Sequence, residues 1–192
     1  MIVETGIHDA IVRKLNERGK LSKNAIAEGI INNVRKTIIR NQLTDPRFYA
    51  QMSKLLDDLI KQSRADAAAY EEFLKKAEEL VNRMAKKDAV AGVPAALHGK
   101  PEAIVIYNNL VDILQGISGG AMVVREESPT EQQERAEFAL RIDRAVREHA
   151  PAGWKGDVTR ERQVLNVLFP LLSRNREATQ ALFEIIKNQA GY

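Results

Sequence analysis

Apolar residues recur every three or four positions along most of this chain, and that period constrains the fold more than any other feature. A helix turns once in 3.6 residues, so this spacing gathers apolar side chains on one face. Ile26, Ile30, Val34 and Ile38 make one stripe, which Ile31 and Ile39 widen into an arc broad enough to pack on two sides. Phe48, Met52, Leu55, Leu56, Leu59 and Ile60 make the next, followed by Tyr70, Phe73, Leu74, Ala77, Leu80, Val81 and Met84. Ala136, Phe138, Ala139, Ile142, Ala145 and Val146 continue the pattern, as do Val164, Leu165, Leu168, Phe169 and Leu172, then Ala178, Ala181, Leu182, Ile185 and Ile186. A short helix through Ile7, Ala10, Ile11 and Leu15 is expected to stop at Gly19. The pattern predicts an all-α fold, an irregular bundle of about seven helices.

Punctuation residues divide the stripes. Thr44 is placed to cap, Asp45 to face the positive end of a helix, and Pro46 to sit in its first turn, where no amide donor is needed. Ser128-Pro129-Thr130-Glu131 marks another start, and Thr159 a third. Pro170 ends or kinks the helix that holds it. Ile104-Val105-Ile106-Tyr107 reads either as a buried strand or as part of a stripe with Leu110, Val111 and Leu114; Pro101 in a first turn favours the helix. Gly116 to Pro129 is expected to form a long mobile loop, with Ala121-Met122-Val123-Val124 able to pair as a strand. The last helix is expected to fray into Gly191-Tyr192. We expect a single helical domain over 1–192, or a sub-division into 1–91 and 101–192.

Composition excludes several classes of chemistry. The chain has no cysteine, so disulfides, thiolate metal sites and cysteine nucleophiles are absent. Only His8, His98 and His149 offer imidazole. No apolar run reaches the roughly 18–20 residues of a membrane span, and the first residues lack the pattern of a signal peptide. A cytoplasmic location is expected.

Three motifs fail on context. Gly29 to Thr37 ends in Arg-Lys-Thr like a phosphate loop, but lacks the glycine before the lysine and sits in mid-helix. Gly116-Ile117-Ser118-Gly119-Gly120 has the spacing of a nucleophile elbow, which works only at a strand-to-helix turn. His8-Asp9 lacks the further ligands that a metal phosphohydrolase needs, and adjacent carboxylates such as Asp57-Asp58 diverge by about 100° on a helix. No catalytic, cofactor-binding or metal-ligating residue is assigned.

The net charge of +3 conceals a polarity. Residues 1–64 carry 12 basic and 7 acidic side chains, whereas residues 101–150 carry 5 and 9. Lys23, Arg35, Lys36, Arg40 and Arg47 are the candidate contacts to DNA phosphates or to an acidic partner. Trp154, flanked by Gly153 and Gly156, is either an exposed interface anchor or a plug over helix ends.

Ala27 to Ile39, Asp45-Pro46-Arg47-Phe48-Tyr49 with Met52 to Ile60, and the terminal stretches Trp154-Lys155-Gly156-Asp157, Val164-Leu165-Asn166 and Phe183 to Gln189 follow one another in order. Together they resemble the C-terminal region of type I restriction enzyme R (HsdR) subunits, over nearly the whole chain. The resemblance implies a fragment of a larger chain, with Met1 an added start, whose nuclease and ATP- and Mg-dependent motor lie in earlier domains. It also implies a non-catalytic helical part that helps dock the translocating, cleaving subunit onto the methyltransferase and specificity subunits. No catalytic residue carries over. By itself the chain is expected not to be an enzyme and to hold no cofactor.

Overall fold

A computed structural model describes residues 23–65, 70–85, 93–118 and 127–192. Among the described residues there are seven α-helices and no strand. They are α1 (Lys23–Asn41), α2 (Pro46–Ala65), α3 (Tyr70–Ala85), α4 (Pro101–Ser118), α5 (Pro129–His149), α6 (Val158–Leu171) and α7 (Arg176–Lys187). A single 3₁₀ turn spans Ala95–Leu97. Among the described residues no helix is long and apolar enough to cross a membrane. The helix through Ile7 to Leu15 and the strand at Ala121 to Val124 lie outside the described residues.

Two compact units are present, each with its own core. The first comprises described residues up to Gln42 and those of Phe48–Val90. The second takes Ala91–Tyr192 together with Leu43–Arg47, a grouping that the sub-division at 91 and 101 does not contain. Pro46 and Arg47, the first two residues of α2, thus belong with the second unit.

In the first unit the predicted stripes meet. Ile30, Val34 and Ile38 of α1, Phe48, Tyr49, Met52, Leu56 and Leu59 of α2, and Phe73, Ala77 and Leu80 of α3 are all buried. Phe48 and Tyr49 pack edge to face at 5.1 Å. The broad arc of α1 turns inward. Ile26 and Ile31 are partly buried against the same core, and Ile39 alone among its large apolar residues stays mostly exposed, at 65%.

In the second unit α4 is central, packing on α5, α7 and the 3₁₀ turn. Ile104, Val105, Ile106 and Tyr107 are all buried, so the run that resembled a strand is helical and covered on every side along those residues. Pro101 occupies its first turn as expected. The helix continues through Ser118, so the loop expected from Gly116 begins at least three residues later, and residues 119–126 lie outside the described residues. Ser128 and Glu131 complete a capping box at the start of α5, each side chain engaging the other's backbone amide. At α6 the cap is Asp157 rather than Thr159: its carboxylate accepts from the amides of Thr159 and Arg160 at 2.9 and 3.1 Å. Pro170 sits one residue before the end of α6.

Candidate functional site

The basic candidates are divided between the two units. Arg35, Lys36 and Arg40 are exposed on α1, in the first unit. Lys23 opens the same helix, and its side chain lies outside the described residues. Arg47 belongs to the second unit, where its guanidinium pairs with Asp112 and its amide donates to Asn109 Oδ1 at 3.1 Å.

On α1 the outward residues fall into two stripes. Gly29, Asn33, Lys36 and Arg40 follow at i, i+4, i+7 and i+11, a spacing that confines them to a sector of about 60° over about 16 Å of axis. All four are exposed, and neither Lys36 nor Arg40 has an ion-pair partner among the described residues. Open space surrounds Gly29, where an added Cβ would meet nothing within 4 Å. The neighbouring stripe carries Glu28, Asn32, Arg35 and Ile39, and there Arg35 leans to Asp57 of α2 at 3.8 Å.

The second unit is held by a polar anchor that local spacing does not reveal. Asp45, only 1% exposed, accepts from Asn109 Nδ2 at 2.8 Å and from Asn108 Nδ2 at 3.0 Å. Asn109 Nδ2 also donates to the Val105 carbonyl at 2.8 Å. Gln189, just past α7, donates to the carbonyls of Thr44 and Ile185. The turn at 43–47 is therefore pinned from both α4 and the C-terminal end of α7. Buried polar groups persist where such partners are complete.

Trp154 is the plug and not the exposed anchor. It is 3% exposed, its ring lies 5.7 Å from that of Phe183, and Lys155 lies over it at 5.5 Å. Gly153 and Gly156 take positive φ (63° and 87°), a conformation that glycine adopts without strain, and their turn folds the indole inward. Lys155 donates to the Gln189 carbonyl, and burial lowers its pKa.

Beyond Gln189 the chain does not fray. Tyr192 O–H donates to Asp143 Oδ1 at 2.6 Å, and Arg147 grips the same carboxylate at 3.0 and 3.1 Å. Arg147 also reaches Glu102 at 2.9 Å and the Gly191 carbonyl at 3.2 Å. Burial, then the bond to Asp143, lifts the Tyr192 phenol far above the ordinary tyrosine range. Nearer the start of α5, Arg135 stacks on the Tyr107 ring at 3.8 Å, donates to the Tyr107 carbonyl and pairs with Glu127. These groups brace helices against each other.

The weak motifs can be placed too. The Gly29 to Thr37 stretch is interior to α1, and Ser118 ends α4 in helical backbone, with no strand before it. His98 and His149 are exposed, His149 in the last turn of α5, while His8-Asp9 lies outside the described residues. Among the described residues no group of three or more His, Asp or Glu is placed to hold a metal ion. Compared with known proteins, the chain matches no family model, no curated protein and no solved structure.

Proposed function

We propose that this chain is a non-catalytic helical assembly domain of a type I DNA restriction–modification complex. Its task is to dock the ATP-dependent translocating and cleaving R subunit onto the methyltransferase and specificity subunits. The reading starts from the resemblance to the C-terminal region of R subunits. One structural observation supports it: residues from separate resembling stretches converge in one unit. Asp45 and Arg47 are held on α4, Gln189 at the other end of the chain donates to the carbonyl beside Asp45, and Trp154 plugs the same core. Stretches that serve one module are expected to share a scaffold in this way.

The test is co-purification of the folded chain with the methyltransferase and specificity subunits of the same system. A stable complex is expected. A folded chain that leaves those subunits unbound sinks the docking reading. ATP and Mg belong, on this reading, to the motor domains of the parent subunit.

A further inference from the structure

The exposed stripe of α1 has a chemistry of its own, and it does not depend on the docking reading. A glycine in the middle of an exposed helix is destabilising relative to alanine. At Gly29 no neighbouring atom among the described residues requires the missing side chain, since a Cβ there would meet nothing within 4 Å. What the glycine does provide is close access to the helix backbone from outside. One turn and three turns further along the same line stand Asn33 and then Arg40, with Lys36 between them. Lys36 and Arg40 have donors only, and no carboxylate lies on the line. The one acid of the outward face, Glu28, sits on the neighbouring stripe.

We infer that the Gly29–Asn33–Lys36–Arg40 stripe binds the phosphate backbone of duplex nucleic acid. The complementarity decides the occupant. Phosphodiester oxygens are acceptors only and each phosphate carries one negative charge, which suits a line of donors and cations. A protein partner would favour an interface centre poor in charge and rich in aromatic groups, and this line has neither property. A single strand would favour aromatic side chains for stacking, and none stands on the outward face of α1. Binding is independent of base sequence, because nothing on the stripe is committed to base edges.

The experiment is an anisotropy titration of a labelled duplex with the 192-residue chain, from about 20 to about 200 mM NaCl. Wild-type protein binds at the low end. Lys36→Ala/Arg40→Ala removes about two phosphate contacts, so the slope of log affinity against log salt becomes shallower by about 1.8, roughly a 60-fold difference over that salt range. Gly29→Leu, which the open space accommodates, weakens binding without changing the slope. Circular dichroism of each variant verifies that helicity is kept. Absence of binding at low salt overturns the inference, as does a helical Lys36→Ala/Arg40→Ala variant that binds like wild type. Polyglutamate competing as well as unlabelled duplex overturns it too, because the stripe would then be reading an acidic protein face.

Discussion

Replacing Asp45 by alanine strikes the anchor that pins the 43–47 turn. The hydrogen bonds from Asn108 and Asn109 are among those lost, and bonds to a carboxylate contribute about 1.5–3 kcal/mol apiece. The two losses differ. Asn108 is partly exposed and can turn to water, so its share falls at the low end. Asn109 is buried, yet its Nδ2 keeps the Val105 carbonyl as an acceptor and is not orphaned. The expected cost is therefore about 3 kcal/mol, at the low end of the combined range of about 3–6 kcal/mol. For a unit of about 100 residues, each kcal/mol moves Tm by about 4–8 °C, so Asp45→Ala should lower it by about 15 °C. The assay is urea denaturation followed by tryptophan fluorescence. Trp154 is the only tryptophan, and it is buried in the second unit, so its emission reports on that unit. A double-mutant cycle with Asn109→Ala should show a coupling above about 1 kcal/mol, because the two residues act through one bond. An Asp45→Ala variant within about 0.5 kcal/mol of wild type, or a cycle that is additive, refutes the reasoning.

Trp154→Ala removes a buried indole from its packing with Phe183 and should cost about 3–5 kcal/mol, read by circular dichroism in urea; a near-neutral variant would return Trp154 to the role of a surface anchor. Gly29→Ala should raise the stability of the first unit by about 1 kcal/mol, because it restores helix propensity with no clash; a lower midpoint in urea would contradict the open space described around it. Tyr192 makes stability sensitive to alkali. Its folded phenol holds the proton more tightly than the unfolded one, so the contribution is complete below about pH 10 and is lost as pH rises above it, by at most about 1.4 kcal/mol per pH unit. Tyr192→Phe should flatten that part of the stability profile, and an unchanged alkaline slope would show that the bond to Asp143 does not matter.

Legibility in the sequence followed the range of the interactions. The helices themselves rest on contacts three and four residues apart, and the stripes through Ile30, Met52 and Phe73 became the core of the first unit. The Ser128–Glu131 capping box is equally local. The continuous run at Ile104 to Tyr107 was harder, because burial on all sides erases the period that separates helix from strand. Two flanking signals resolved it, Pro101 in the first turn and Leu110 one turn further on. Asn108 and Asn109 carried no comparable signal. Their partner Asp45 lies more than sixty residues away, and two adjacent asparagines on a helix look like a solvated edge until the turn docks against them.

Charge arithmetic is blind to the tertiary structure for a related reason. A sum along residues 1–64 counts Arg47 with Arg35, Lys36 and Arg40, because it ignores which core a residue belongs to. The division falls inside α2: Phe48 turns into the first core, while Pro46 and Arg47 go with the second unit. Arg47 is consequently neutralised by Asp112, and Arg35 leans toward Asp57. Two cations, Lys36 and Arg40, remain on one line with Asn33 and a glycine whose presence no contact within the described residues explains. A solvated helix face tolerates lysine and arginine anywhere, but it gains nothing from a mid-helix glycine. That residue is what separates the phosphate-binding reading from simple solvation, and Gly29→Leu tests it independently of charge.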